Sequence, residues 1–278
     1  MIFLPMQEAQ KNIIDVGRIQ ESLQAKLWVG DITSGKYVTG IYASDLMSDV
    51  LAYGKSGSLL LTGLNSVQAA ISAYMAEFKG IVFIRNKIPG SETLKFAREK
   101  GMMILSTETD MYEACVRIAN IKGEAPAIDA EKGPEEKAKN ITIHSFKIDG
   151  QDFASAGLVS TQIKTILKSI GYDPQLIRRV AIAAYEGEMN VVMHARKADV
   201  TLTASEKEIY IIIMDEGKGI ENIDLAMKEG YSTATEEQRA LGFGAGMGLP
   251  NIKRNADELI INSVVNQGTR IETIFFVK

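Results

Sequence analysis

The stretch from residue 174 to residue 195 constrains the fold more than any other part of the sequence. It contains no proline after Pro174, and its apolar residues recur at intervals of three and four. This spacing predicts an α-helix with one stripe turned toward a protein core. The residues of that stripe are Val180, Ala184, Gly187, Val191 and Ala195.

A polar stripe lies beside the apolar one. Glu186, Asn190 and His194 are spaced four apart, so they share one face of the predicted helix. Such a set is either a solvated, hydrogen-bonded helix edge or part of a functional site, and this helix alone leaves both interpretations open. Glu188 lies two residues from Glu186 on roughly the opposite side of the helix, which makes Glu186 the acid of interest.

The overall composition argues against several classes of function. The 278 residues are enough for two domains, each with a core of its own. A net charge of -4 and a pI near 5.5 offer no basic surface for nucleic acid or for an anionic membrane. The single cysteine cannot form an intrachain disulfide, and no apolar run approaches bilayer thickness. We therefore expect a cytoplasmic protein without membrane or direct nucleic-acid contacts.

The first half of the sequence alternates short apolar runs with stretches of helical spacing. Continuous apolar strands separated by helices of about ten residues are typical of βαβ units, in which helices cover a parallel sheet. The turn at residues 62–66 is either a ligand-binding strand-to-helix connection or a simple turn. The predicted strands are 58–62, 80–84 and 102–105, and the predicted helices are 66–78, 91–100 and 111–119.

The domain boundaries follow from a change in composition. Residues 122–139 are rich in glycine, proline and charged side chains, which is typical of a linker. We therefore predict a first domain at residues 1–121 and a second at residues 140–278.

The second half is predicted to form one sheet with helices on one face, an α/β sandwich. Asp173 precedes Pro174, a pair that suits the N-cap and first position of the long helix. The predicted order is β-α-α-β-β-α-α-β-β. The strands are 141–148, 198–204, 208–214, 258–264 and 269–277, and the helices are 153–170, 174–195, 222–229 and 247–255.

Three glycine-containing clusters fall at the ends of these elements. Residues 215–220 place an acid before two glycines, residues 242–248 carry a glycine at every second position before a helix, and Gly268 precedes Thr269. Glycines let a backbone approach a ligand closely, and amides at a helix N-terminus suit phosphate. Each cluster alone is also compatible with an ordinary turn or a flexible loop.

Taken together, the four motifs resemble those of a known superfamily. Residues 186–190, 215–219, 242–248 and 268–269 resemble the N, G1, G2 and G3 boxes of the GHKL ATPases, which share the Bergerat fold. The compact second domain is similar to the anti-sigma-factor serine/threonine kinases. The first half, from Val16 to Ile121, resembles the DRTGG domain in its order of strands and turns. The implied fold class is α/β throughout, with a parallel-sheet DRTGG-like domain followed by a GHKL α/β sandwich.

The resemblance implies roles around Mg²⁺ and ATP phosphates. Asn190 would give its amide oxygen to Mg²⁺, and Glu186 would act as the base on the attacking hydroxyl. Gly244, Gly246 and Gly248 would form a lid over the phosphates.

It also implies roles at the adenine end of ATP. Asp215 would accept a hydrogen bond from the adenine amino group, and Gly217 and Gly219 would let the backbone pass beside the base. Thr269 would support the same end of the nucleotide.

Three further side chains have open assignments. His194 is in reach of the site, where a structural hydrogen bond is as good an interpretation as a functional role. Lys218 and Arg254 are either phosphate contacts or solvated surface charges, and we favour the second interpretation.

The implied activity is transfer of the ATP γ-phosphate to a serine or threonine of a STAS-domain anti-anti-sigma protein. The resemblance also implies binding of a sigma factor, a homodimer, and a sensing role for the first domain. Two alternatives are an ATP-gated module that captures a partner without phosphotransfer, and a slow regulatory ATPase. The sequence identifies neither the partner nor the ligand of the first domain.

Overall fold

The structure is a computed structural model that describes residues 13–32, 36–121, 141–234 and 244–278. The chain divides into two compact units. The first contains the described residues up to 45 and from 54 to 121, and the second contains Leu46–Tyr53 and the described residues from 141 onward. The predicted linker and Gly242 lie outside the described residues, and the domain boundaries given above stay predictions.

The elements of the first half of the chain begin with short strands and end with regular strand–helix alternation. One of them, α2, belongs to the second unit. In chain order they are β1 (Ile14–Asp15), α1 (Val16–Leu23), β2 (Lys26–Val29), β3 (Tyr37–Val38), β4 (Ile41–Ala43), α2 (Met47–Tyr53), β5 (Leu59–Thr62), α3 (Val67–Met75), β6 (Gly80–Phe83), α4 (Ser91–Lys100), β7 (Met103–Ser106) and α5 (Met111–Ala119).

The main sheet of the first unit has the order β2-β7-β6-β5-β4. Strands β5, β6 and β7 are parallel, as predicted, and all of their residues are buried. Strand β4, which was not predicted, is parallel to β5. The sheet is mixed, because the edge strand β2 runs antiparallel to β7. The sequence pattern did not indicate β2, whose residues are mostly exposed or half-buried and lack a continuous apolar run.

The elements of the second half follow the predicted order. They are β8 (Thr142–Asp149), α6 (Leu158–Ile170), α7 (Pro174–His194), β9 (Ala195–Ala204), β10 (Glu208–Gly217), α8 (Ile223–Ala226), α9 (Gly248–Asn255), β11 (Glu258–Val264) and β12 (Gly268–Phe276). The sheet order is β11-β12-β10-β9-β8, and every neighbouring pair is antiparallel.

The helix α7 is the central element of the second unit. Asp173 caps it by accepting hydrogen bonds from the amides of Gln175 and Leu176, as the Asp-Pro pair predicts. All five residues of the predicted apolar stripe are buried. The helix packs against α6, α9 and the sheet, so the side that carries Glu186 and the side that carries Glu188 both border other elements.

Two predicted helices of the second half were too long. The helix predicted from residue 153 begins at Leu158, because Gly157 has φ +93° and Asp152 forms a turn by accepting the amide of Ser155. The helix predicted at 222–229 spans only Ile223–Ala226, a segment without buried residues to stabilise further turns.

The central hairpin is longer than predicted. Strand β9 begins at Ala195 and β10 continues to Gly217, because Gly217 pairs with Ala195 beyond an irregularity in the register after Asp215. The first glycine cluster therefore starts inside a strand instead of after it. Among the described helices, none has the length and apolar content needed to cross a membrane.

Candidate functional site

A pocket of about 520 Å³ lies in the second unit beside the polar face of α7. Its wall includes residues of α2, α7 and α9, the end of β10 and the segments around these elements. Every site residue predicted from the sequence lies along this wall. These residues are Glu186, Asn190, Asp215, Gly217, Gly219, Gly244, Gly246, Gly248 and Thr269.

The first residue of α9 closely approaches the polar face of α7. A methyl group added at Gly248 would lie 3.0 Å from Oδ1 of Asn190 and 3.6 Å from Oε2 of Glu186. A side chain at this position would therefore crowd Asn190 and contact Glu186. Glycine at this position lets the N-terminal amides of α9 come close to an acid and an amide.

Glu186 has the most perturbed environment of the site acids. Its side chain is buried, and Oε1 accepts a hydrogen bond of 2.6 Å from Nδ2 of Asn251. Burial raises the pKa of Glu186 to about 7, although the hydrogen bond from Asn251 acts in the opposite direction. A carboxylate with such a pKa is suited to accept a proton near neutral pH.

The opposite end of the pocket is organised around Asp215. Its Oδ1 accepts the amide of Thr269 at 3.1 Å, and the Thr269 hydroxyl lies 2.8 Å from that of Ser263. The Ser263 hydroxyl also accepts the amide of Ile220 at 2.8 Å. Burial raises the pKa of Asp215, while the amides of Thr269 and Gly217 oppose the shift. This network holds an acceptor carboxylate at the pocket wall.

Three of the predicted site glycines, Gly219, Gly244 and Gly246, have positive φ angles that other residues rarely adopt, and two of them also pack closely against backbone atoms. Gly219 has φ +70°, and a methyl group there would lie 2.3 Å from the carbonyl oxygen of Val264. Gly246 has φ +73°, and a methyl group there would lie 2.4 Å from the carbonyl carbon of Gly230. Both positions therefore require glycine for the backbone path that bounds the pocket.

The three side chains with open assignments have different surroundings. His194 and Lys218 both lie along the pocket; burial lowers the pKa of His194, and the charge of Lys218 adds to this effect. Arg254 is exposed, as expected for a surface charge, but it also pairs with Glu229 at 2.7 Å and donates to Oδ1 of Asn251 at 2.9 Å.

The donor set fits Mg²⁺ and a nucleotide. Asn190 and Glu186 place hard oxygen donors near the N-terminus of α9, a combination suited to Mg²⁺ and phosphate. Over the described ranges, no three histidine, cysteine or acidic side chains are grouped to hold a metal. Mg²⁺ keeps several waters and needs only one or two protein ligands.

Sequence reasoning missed Asn251 and the contribution of α2. Asn251 is fully buried, and Met47, Ser48 and Leu51 of α2 line the pocket. A signal for Asn251 was present, because Asn251 and Asn255 are four apart within the apolar face of a short helix. No local pattern indicated that α2 borders this pocket.

The antiparallel sheet and the helices around this pocket form an α/β sandwich. The family model described as the histidine kinase-like ATPase domain matches residues 151–275. The serine/threonine-protein kinase RsbT of Bacillus subtilis is 30% identical over 119 residues, which cover 41% of this chain and 84% of RsbT. The chain therefore belongs to the family of histidine kinase-like ATPase domains.

Other relatives carry a different functional name. The anti-sigma F factor of Clostridium kluyveri is 35% identical over 106 residues, covering 36% of this chain and 71% of the relative. The anti-sigma F factor of Anoxybacillus flavithermus is 29% identical over 114 residues, which cover 41% of this chain and 67% of the relative. The relatives thus include both a kinase and anti-sigma factors.

Two solved structures show weak similarity to the chain. The CBS and DRTGG domains of Clostridium perfringens pyrophosphatase, complexed with diadenosine tetraphosphate, are 12% identical with a TM-score of 0.34, covering 41% of this chain and 51% of that one. The RsbU and RsbW domains of a Mycobacterium tuberculosis protein are 16% identical with a TM-score of 0.35. The match covers 49% of this chain and 33% of that one.

Proposed function

We propose that the protein is a Mg-ATP-dependent serine/threonine protein kinase of the anti-sigma-factor type. The observation that carries this proposal is the buried Glu186, whose pKa is about 7, one helical turn from Asn190 in the same pocket. A module that only binds ATP has no need for a base with a pKa near neutrality. The kinase RsbT, at 30% identity, supports the same activity.

The base would act on the hydroxyl group of a protein serine or threonine. Bound Mg-ATP supplies the γ-phosphoryl group and neutralises phosphate charge. Glu186 accepts the hydroxyl proton while the serine or threonine oxygen forms its bond to phosphorus and the bond to the ADP oxygen breaks. Asn190 is the Mg²⁺ ligand in this scheme, through its amide oxygen.

The remaining site residues would bind and enclose the nucleotide. Asp215 is suited to accept a hydrogen bond from the adenine amino group, because Thr269 holds its carboxylate at the pocket wall. Gly244, Gly246 and Gly248 precede or begin α9, so they provide amides close to the phosphates.

The proposed substrate is a STAS-domain protein of the anti-anti-sigma type, and the proposed second partner is a sigma factor. The similarity to anti-sigma F factors supports this choice. Adding a phosphate to the STAS protein changes its charge and hydrogen bonding, so phosphorylation would decide which partner is bound. A homodimer and a metabolite-sensing role for the first unit complete the proposal.

The decisive experiment measures transfer of labelled γ-phosphate from ATP, with Mg²⁺, to the STAS-domain proteins of the source organism. We expect label on one of these proteins and none with the Asn190→Ala variant. Tight Mg-ATP binding without label would instead favour the ATP-gated binding module, and release of labelled inorganic phosphate would favour the regulatory ATPase. Absence of ATP binding would refute all three.

A further inference from the structure

Asn251 is the link between Glu186 and helix α2. Its Nδ2 donates to Oε1 of Glu186 at 2.6 Å and to the backbone carbonyl of Ser48 at 3.2 Å. A carboxamide nitrogen carries two protons, so one group satisfies both acceptors. The Asn251 side chain is fully buried, and a Glu186 oxygen left there without a hydrogen bond would be costly.

The orientation of the Asn251 amide is fixed from its other side. Its Oδ1 accepts a hydrogen bond of 2.9 Å from Nη1 of Arg254, which has donors only. Arg254 is itself held by Glu229 at 2.7 Å and lies 5.2 Å from the ring centre of Tyr53. Rotating the amide by half a turn would place its NH₂ against the guanidinium and its oxygen against Glu186.

The consequence is that the two oxygens of Glu186 have different surroundings. Oε1 is occupied by Asn251, whereas Oε2 lies on the side of Gly248 and Asn190. We propose that Asn251 is a positioning residue of the phosphotransfer site, which holds Glu186 so that Oε2 faces the reacting groups. This inference rests on the proposed kinase function.

The same contact gives α2 a part in the site. The Ser48 carbonyl and the Tyr53 ring, at opposite ends of α2, touch Asn251 and Arg254 respectively. Met47 and Leu51 of the same helix line the pocket. The short helix therefore contributes a backbone carbonyl to the hydrogen-bond network of the proposed base and a ring to the surroundings of Arg254, without adding a catalytic side chain.

The kinetic test compares Asn251→Leu with Asn255→Leu, a matched change one turn further along α9. Asn255 is also buried and also uses its amide, but it donates to the Asn251 carbonyl instead of to Glu186. For Asn251→Leu we expect kcat to fall roughly 10- to 100-fold, as for a misplaced catalytic group, with the KM for ATP within about twofold. Asn255→Leu should leave kcat within about threefold of the wild type.

A further variant separates the amide group from the size of the side chain. Asn251→Gln retains the amide donor, so it should recover part of the rate that Asn251→Leu loses. Equal losses in Asn251→Leu and Asn255→Leu, or an unchanged kcat in Asn251→Leu, would overturn the inference while leaving the kinase assignment intact.

A measurement without turnover keeps the inference testable if no substrate is phosphorylated. In ¹H–¹⁵N spectra of the nucleotide-free protein, the side-chain amide signals of Asn251 should shift strongly in Glu186→Ala. They should stay in place in Glu188→Ala, since Glu188 binds backbone amides of another helix. Unchanged Asn251 signals in Glu186→Ala would refute the positioning contact itself, whatever the enzyme activity.

Discussion

The two acids of α7 illustrate how differently a helix can use two buried carboxylates. Glu186 faces the pocket and is hydrogen-bonded by one side chain, Asn251. Glu188 faces α6 and accepts the amides of Gly157 at 2.9 Å, Val159 at 3.1 Å and Ser160 at 2.8 Å. Both residues are glutamates, but Glu186 is bound by a side-chain amide and Glu188 by backbone amides.

Their hydrogen bonds explain the difference in role. Burial raises the pKa of both groups, and for Glu188 three amides at the start of α6 act against the shift. Those amides have no partner within their own helix, so Glu188 serves as a helix cap from another part of the chain. Burial alone therefore does not identify a base, and the proposed role of Glu186 rests on its position at a pocket with few hydrogen-bond donors.

The largest expected effect is on the rate of phosphotransfer. Glu186→Gln removes the proton acceptor but keeps the shape of the side chain, so we expect kcat to fall roughly 10²- to 10⁴-fold. Phosphate transfer to the STAS-domain substrate, measured with saturating Mg-ATP, gives the comparison with Glu188→Gln. A smaller loss in Glu186→Gln than in Glu188→Gln would reverse the roles assigned to the two acids.

The next effect is on stability. Glu188→Ala leaves three amides at the start of α6 without their acceptor, two of them buried, so we expect the free energy of unfolding to fall by about 3 kcal/mol. Urea unfolding followed by circular dichroism measures the change. Glu186→Ala is the control, with a smaller expected loss, because it leaves only the Asn251 amide without its carboxylate partner. Equal losses of stability in the two variants would contradict the difference proposed between Glu188 and Glu186.

The pH dependence of stability provides a third comparison. The pKa of Glu186 rises from 4.5 in the unfolded chain to about 7 in the folded protein. The folded state therefore binds more protons between these values, and the Glu186 contribution to stability falls as pH rises from 4.5 to 7. Relative to Glu186→Gln, the wild type should lose at most about 3 kcal/mol over this interval.

Urea unfolding of both proteins at several pH values between 5 and 8 measures this difference. The use of Glu186→Gln as reference cancels the titration of Glu188 and the other acids. A difference independent of pH, or one that increases with pH, would contradict the raised pKa of Glu186.

The smallest expected effect concerns the helix that carries both acids. Asp173→Ala removes the cap of α7, with its bonds of 2.9 Å and 3.1 Å to two helix amides, and should cost about 1 kcal/mol of stability. Because the cap lies at the far end of α7, kcat should be unchanged at temperatures below the unfolding transition. Thermal unfolding measures the stability, and the phosphotransfer assay measures kcat. A large loss of kcat would show that the positions of the two acids depend on the capped end of the helix.

Much of the second unit was predictable because its signals are local. The apolar stripe of the long helix, the Asp173 cap and the order of its strands and helices follow from spacing and turn chemistry. The start of α6 was not predictable in this way, because the apolar pattern continues through the turn that ends at Gly157. Strand β2 was missed since an edge strand lacks a continuous apolar run.

The sequence by itself determined that Glu186, Asn190 and His194 share a helix face and that glycines surround the neighbouring turns. Only the tertiary structure decided that Asn251 and the carbonyl of Ser48 meet at Glu186. The physical reason is that residue spacing specifies which face of a helix a side chain occupies. Its partners across the fold are decided when distant elements pack, and those partners distinguish the proposed base from a helix cap two residues away.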